Sequence, residues 1–136
     1  MITRRAALAA LMLVATGCVH YPSVMDVGGV RLRTENGRAV REGDRARVVF
    51  DVVSTGKYGD VITGVFAPVA KEAQLVDATG APLARYEVPG AATVKFVPDG
   101  PHVVLTGLRA LTPRETFILT LQFERSGGIG VVTVVE

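Results

Sequence analysis

Few side chains of this sequence could bind a soft metal ion or act as a redox group. The chain has one Cys, three Met and two His. Those beyond residue 17 are Cys18, His20, Met25 and His102. Imidazole nitrogen and cysteine or methionine sulfur are the ligands that soft metal ions prefer, but several of them must converge on one point. A single Cys excludes an internal disulfide and an all-cysteine metal site.

The serines give no support for nucleophilic catalysis. The chain has only Ser23, Ser54 and Ser126, and none lies in a nucleophile-elbow pattern. Two glycines follow Ser126, but this segment lies between two predicted strands, so it predicts a hairpin turn rather than a phosphate-binding loop. The sequence therefore predicts a protein that is not an enzyme.

The first eighteen residues have the pattern of an export signal. Arg4 and Arg5 precede an unbroken apolar run of ten residues, 6–15, whereas a helix that spans a bilayer needs about 20. Residues 14–18, Val-Ala-Thr-Gly-Cys, resemble a bacterial lipobox, in which the cysteine sulfur receives a diacylglycerol before the chain is cleaved. We therefore predict a signal peptide over 1–17 and lipid attachment at Cys18, in the cell envelope and facing the periplasm or the cell exterior. The alternative is a buried helix that ends in a buried thiol.

Removal of the signal would change the charge of the chain. The 136 residues carry a formal net charge of +2, from 15 Lys and Arg against 13 Asp and Glu. Arg4 and Arg5 lie in the signal, so the remainder is formally neutral. A neutral chain with eight aromatic residues and no Trp lacks the basic surface that nucleic-acid binding requires. We therefore expect the membrane, through the lipid, as one partner and no nucleic acid.

The rest of the chain predicts an all-β domain. Short stretches rich in Val, Ile, Phe and Thr alternate with Gly, Pro and Asp, and no stretch has apolar residues at helical spacing. In 116–125, Phe or Leu occupies each odd position from 117 to 123, which predicts a strand with this side in the core. The predicted strands are 30–34, 45–54, 61–66, 73–77, 83–88, 92–97, 102–108, 116–125 and 130–135. They favour an immunoglobulin-like, Greek-key β-sandwich over 30–136, after a flexible tether over 18–29.

Four motifs then follow in a characteristic order. They are Phe-Asp-Val-Val-Ser-Thr-Gly at 50–56, Ala-Pro-Val-Ala-Lys at 67–71, Val-Pro-Gly at 88–90, and Pro-Asp-Gly-Pro-His-Val-Val-Leu-Thr-Gly-Leu at 98–108. In this order they resemble the periplasmic PCu(A)C-type copper chaperones, over residues 46–135. The resemblance implies a cupredoxin-like β-sandwich. It also implies a protein that holds one Cu(I) and passes it to a partner, such as a copper protein or an oxidase under assembly.

The ligands that this resemblance implies are largely missing. The family uses two His and two Met. The first His falls on Val76, the hairpin 77–87 contains no Met, and the second His is His102, whose Met partner falls on Val104. A two-His, one-Met site could form only if His20 and Met25 reached His102. Otherwise His102 is a half-exposed residue that hydrogen-bonds to the turn before it.

Two functions follow from these observations. The first is a membrane-anchored accessory of copper homeostasis or of copper-protein assembly, with a degenerate copper site, to which Cu(I) could still bind through His102. The second is an interaction module without metal that uses the same sandwich to bind a protein partner.

Overall fold

A computed structural model describes residues 23–136 and shows ten β-strands and no helix. The strands are β1 (Val24–Val27), β2 (Val30–Glu42), β3 (Arg45–Ser54), β4 (Asp60–Phe66), β5 (Ala70–Val76), β6 (Tyr86–Val88), β7 (Ala92–Phe96), β8 (His102–Leu108), β9 (Thr116–Phe123) and β10 (Gly127–Val135). This part of the chain accordingly holds no helix that is long and apolar enough to cross a membrane.

The strands form one curled sheet around a single core. Their order is β5-β8-β3-β2-β10-β9-β4-β6, with β1 paired to β2 and β7 paired to β3. All strand pairs are antiparallel except β2 and β10, which are parallel. The predicted all-β sandwich is confirmed.

Alternating apolar residues build the core as the sequence predicts. On β9 the four odd-numbered residues from Phe117 to Phe123 are buried. Phe50 of β3 pairs directly with Phe96 of β7, and their rings stack with centroids 4.4 Å apart, while Tyr86 lies against Phe96 at 5.2 Å. Aromatic rings in such arrangements contribute about 0.5–1.5 kcal/mol beyond the area that they bury.

The first described strand lies within the stretch predicted as a tether. β1 forms a hairpin with β2, in which Met25 pairs with Leu32. The turn between them is Gly28-Gly29, with φ of 57° and 83°, and two residues with positive φ make the tight turn that joins antiparallel strands. Residues 24–29 are therefore part of the sheet rather than a tether, while residues 18–22 lie outside the described part of the chain.

Strand β2 runs well past residue 34, where the sequence predicts that it ends. Its register against β3 shifts between Glu35 and Arg38, which is the mark of a β-bulge. Asn36 in the bulge has φ of 59°, a conformation that Asn tolerates better than most residues. Gly37 is required because a Cβ there would lie 2.4 Å from the carbonyl oxygen of Val132. The Asn-Gly pair predicts a turn, but the strand absorbs it as a bulge.

Candidate functional site

The positions to which the resemblance assigns the two histidines lie side by side. Val76 ends β5 and pairs directly with His102 at the start of β8. Two residues further along the ladder, Gln74 pairs with Val104. We call the region around Val76, His102 and Val104 the β5–β8 corner. Its register brings the assigned positions together, but it holds one imidazole and two valines.

His102 is buried and already hydrogen-bonded. It is 6% exposed and pairs with Val76, which is buried as well. Its Nδ1 lies 2.8 Å from the carbonyl oxygen of Gly100, and since a carbonyl can only accept, Nδ1 donates this hydrogen bond and Nε2 is the ring nitrogen that it leaves unused. The predicted hydrogen bond to the preceding turn is therefore confirmed. The expected half-exposed position is wrong, because the side chain is 6% exposed.

The hairpin next to Val76 is short and rigid. Asp77 Oδ1 accepts hydrogen bonds from the Thr79 hydroxyl at 2.7 Å, the Thr79 amide at 2.9 Å and the Ala81 amide at 3.0 Å. These bonds, led by the one from the Thr79 hydroxyl, hold the pKa of Asp77 below its usual value. Val76 then bridges to Pro82. The chain thus returns to β5 within a few residues and offers no sulfur at this position.

The structure does not bring Met25 to His102. Met25 pairs with Leu32, and Leu32 pairs with Ser54 at the end of β3. Val103 pairs with Val48, so the antiparallel register places His102 level with Val49, five residues before Ser54 on β3. At about 3.4 Å per residue, this separates Met25 and His102 by about 17 Å along the strand direction. Met25 is also packed against the core.

The remaining candidate ligands lie outside the described residues. Cys18 and His20 precede Ser23, the first described residue. Between residues 23 and 136, His102 is the only His and Met25 the only sulfur-containing residue. No three His, Cys, Asp or Glu residues in this range cluster as metal ligands would. The described part of the chain therefore holds one Cu(I)-type ligand at the corner and no second one near it.

A groove that the sequence does not predict lies beside the β2 bulge. Asp51 of β3 is buried there, and its Oδ2 accepts a hydrogen bond of 2.9 Å from Asn36 and lies 3.5 Å from Lys95 Nζ. Arg38 pairs with Glu136 at 3.5 Å on the other side. The groove measures about 650 Å³. Its two cations each face a carboxylate, so it has no net charge with which to select an ion.

A buried carboxylate closes the opposite end of the sheet. Asp60 accepts hydrogen bonds from the amides of Val61, Arg125 and Ser126 at 2.8–2.9 Å and from the Ser126 hydroxyl at 2.7 Å. Burial by itself raises the pKa of Asp60, but these bonds outweigh it and leave the pKa below its usual value. Asp60 therefore ties the start of β4 to the β9–β10 turn and has no oxygen left for a ligand.

A sequence model described as "Putative lipoprotein LpqE-like" matches residues 26–135. The chain belongs to the LpqE-like family. A curated relative, "Putative lipoprotein Lxx21020" of Leifsonia xyli subsp. xyli, is 27% identical and covers 90% of this chain and 82% of its own length. Both descriptions name lipoproteins, which agrees with a cell-envelope protein.

The LpqE-like domain also matches solved copper-chaperone domains. The copper-bound PCuAC domain from PmoF2 is 25% identical, covers 87% of this chain and 98% of its own, and superposes with a TM-score of 0.68. The Cu(I)-bound DR1885 from Deinococcus radiodurans is 20% identical over 81% of this chain and 79% of its own, with a TM-score of 0.64. The cupredoxin-like fold that the motifs imply is confirmed.

The LpqE-like chain therefore combines the fold of copper-bound domains with an altered corner. The PmoF2 domain is copper-bound and the DR1885 structure is Cu(I)-bound. Here the register of β5 and β8 is intact, whereas the side chain opposite His102 is an isopropyl group that has no lone pair. The strand pairing is retained, and among the described residues the positions that the resemblance assigns at this corner hold one imidazole.

Proposed function

We propose that this chain is a lipid-anchored accessory of copper handling in the cell envelope that acts by contact with a partner and does not itself deliver copper. The link to copper rests on the fold and on the solved relatives, which are copper-bound domains. The anchor rests on the lipobox-like residues 14–18 and on the lipoprotein family. The proposal assigns no catalytic step to the protein.

The pairing of Val76 with His102 is the observation that carries the proposal. Cu(I) needs at least two soft donors that converge. The residue directly opposite His102 is apolar, the adjacent hairpin is closed by Asp77, and the nearest described sulfur belongs to strand β1. A chaperone that must capture Cu(I) from competitors would have to do so with one imidazole.

Recruitment of His20 and Met25 would require the hairpin to come apart. Met25 would have to leave β1 and its contact with the core. Ordering a new arm on the far side of the sheet costs about 1–2 kcal/mol per residue before any ligand bond forms. A three-ligand site of this kind is therefore less favourable than the hairpin that it would replace.

A Cu(I) competition titration tests the proposal. The chain without residues 1–17 is titrated anaerobically against a chromophoric Cu(I) chelator, beside the variants His102→Ala and Met25→Ala. We expect the wild type to remove no more copper from the chelator than either variant does. Stoichiometric binding by the wild type that is lost in both variants would contradict the proposal and establish the three-ligand site.

The anchor has its own test. Intact mass of the protein from a membrane fraction should show acyl chains on a chain that begins at Cys18, and the Cys18→Ser variant should lack both the acyl mass and the membrane fractionation. An unprocessed chain that begins at Met1 and still fractionates with membranes would contradict this part of the proposal.

A further inference from the structure

One side of the sheet carries no charge. Strands β9 and β10 contain no Asp, Glu, Lys or Arg along their full length, and the only charged residue of the adjacent β4 is Asp60, which is buried. The outward positions of these strands instead hold Phe, Ile, Val, Thr, Gln and Gly. We call the outward side of β4, β9 and β10 the uncharged face.

Large apolar side chains on this face are exposed and adjacent. Ile118 and Val132 form a direct cross-strand pair and are 39% and 59% exposed. Phe66, at 62%, pairs with Thr120, the next outward position on β9. Thr120 is buried, and the residue opposite it on β10 is Gly130, so no charged side chain separates Phe66 from the pair of Ile118 and Val132. Contiguous exposed apolar surface of this kind marks an interaction site.

Ser23, the first described residue, lies beside this face. The carbonyl oxygen of Ser23 accepts a hydrogen bond of 3.1 Å from the Thr34 amide, and the Thr34 hydroxyl donates one of 2.6 Å to the carbonyl of Gly130. Gly130 is two residues from Val132 on β10. Four residues lie between Cys18 and Ser23, so five residue steps join them, and an extended chain of five steps reaches at most about 17 Å.

We propose that the uncharged face lies on the surface of the bilayer that holds the Cys18 lipid. This inference rests on the anchor in the proposed function. A short tether keeps the face at a high effective concentration next to the lipid, so that even a weak surface affinity is sufficient. Apolar side chains at the headgroup boundary add affinity in proportion to the area that they bury, and this face has no charged group to desolvate.

The other surface next to Ser23 fits a bilayer poorly. The outward side of β2 beside β1 carries Arg31, Arg33 and Glu35, all exposed. Arg33 and Glu35 form an ion pair of 3.5 Å in which both side chains are about half exposed. Charged groups of this kind favour water. Of the two surfaces within reach of the anchor, the uncharged face is therefore the one that turns to the lipid.

The absence of Trp from the sequence gives a direct test. The acylated full chain with the single substitution Val132→Trp is reconstituted in phosphatidylcholine vesicles, and its emission is compared with that of Arg47→Trp. Arg47 lies on β3, three strands from β9 in the sheet, with its side chain half exposed. We expect a blue shift and quenching by lipids with brominated acyl chains for Trp at 132, and neither for Trp at 47.

Each alternative outcome overturns the inference in a recognisable way. Acylated, vesicle-bound protein with no quenching at 132 rejects the face and leaves the anchor intact. Protein that is not acylated and does not bind vesicles rejects the anchor and the face together. A blue shift without lipid quenching that depends on protein concentration assigns the face to contact between copies. The substitution Ile118→Trp, at the paired position, repeats the test if Val132→Trp does not fold.

Discussion

The β5–β8 corner and the uncharged face are both rich in valine, but they use it differently. In the corner, Val76 is 4% exposed and packs beside the buried His102. On the uncharged face, Val132 is 59% exposed and its partner Ile118 is also in contact with solvent. Valine is buried in the β5–β8 corner, where it takes the place of a ligand, and it is exposed to solvent on the uncharged face.

The difference shows where this protein meets its surroundings. Soft metal ions are bound by imidazole nitrogen and by cysteine or methionine sulfur. In this chain the region that would face a metal is apolar and buried, and a region with no ligands is apolar and exposed. We therefore expect the protein to contact its surroundings through the uncharged face and not through a metal at the β5–β8 corner. Substitutions in the two regions should then have different effects.

Truncation of a core residue behind the corner should have the largest effect. Leu105 of β8 is fully buried and pairs with Ala73 and Ala46 on its two sides. We expect Leu105→Ala to lower the free energy of unfolding by about 2–5 kcal/mol, since it removes apolar contacts and leaves a cavity. The matched change Ile118→Ala on the uncharged face should cost less than about 1 kcal/mol. If both variants lose the same free energy of unfolding in urea titrations, Ile118 is packed as tightly as Leu105, and the corner and the uncharged face do not differ.

Loss of the Asp60 charge should come next, because Asp60 fixes the end of the uncharged face. Its carboxylate accepts four hydrogen bonds. In Asn, an NH2 group replaces one carboxylate oxygen, and this group would face the N–H or O–H donors that the oxygen now binds. We expect Asp60→Asn to cost about 3 kcal/mol in urea unfolding. Asp77→Asn, in an exposed turn, is the control and should cost clearly less. If Asp60→Asn leaves the free energy of unfolding unchanged, the β9–β10 turn is stable without the Asp60 hydrogen bonds.

The stability that Asp60 supplies should depend on pH in a defined direction. Its pKa in the folded chain is lowered, so the contribution is complete above the unfolded value of about 3.9 and is lost as the pH falls through the folded value. Urea midpoints measured from pH 6 downwards should therefore decline more steeply for the wild type than for Asp60→Asn. Parallel curves would contradict this assignment.

Substitution of His102 should have a smaller effect, confined to stability. Its Nδ1 proton is held by the carbonyl of Gly100 at 2.8 Å, and loss of such a bond costs about 1 kcal/mol. We expect His102→Gln to lower the free energy of unfolding by that amount and to leave competition for Cu(I) unchanged. A drop in Cu(I) competition without a drop in stability would assign the residue to metal binding.

The smallest effect is expected at Val132. Val132→Thr keeps the shape of a side chain that is mostly exposed, so the free energy of unfolding should change by less than about 0.5 kcal/mol. A loss above about 1.5 kcal/mol would mean that part of this chain covers the face, and it would reverse the comparison with the corner.

Much of the fold is predictable from local pattern. The predicted ranges of β3 and β8 match the structure, since each apolar run is bounded by turn residues. The β1–β2 hairpin and the long β2 are missed for opposite reasons. The sequence predicts a tether over 18–29, where Gly28-Gly29 instead forms a hairpin turn, and it predicts a strand end at 34, where β2 instead continues through the bulge at Asn36-Gly37. Both differences arise because the same residue types serve turns, bulges and linkers.

The site is predictable in its chemistry but not in its geometry. The missing ligands at Val76 and Val104 can be read from the sequence once the motifs are aligned. The direct pairing of Val76 with His102, and the burial of His102, depend on the register of two strands that are far apart in the chain. The uncharged face is likewise visible as strands without charge, but its continuity follows only from the pairing of β4, β9 and β10.

The most direct measurement is a side-by-side Cu(I) titration of the wild type and Val76→His. This substitution places a second imidazole directly opposite His102, where side chains of paired residues lie within about 4.5–5.5 Å at Cβ. The account predicts that Val76→His gains at least about tenfold in Cu(I) affinity, or 1.4 kcal/mol, over a wild type that scarcely competes with the chelator. A wild type that binds one Cu(I) tightly and gains nothing from the second histidine would contradict it.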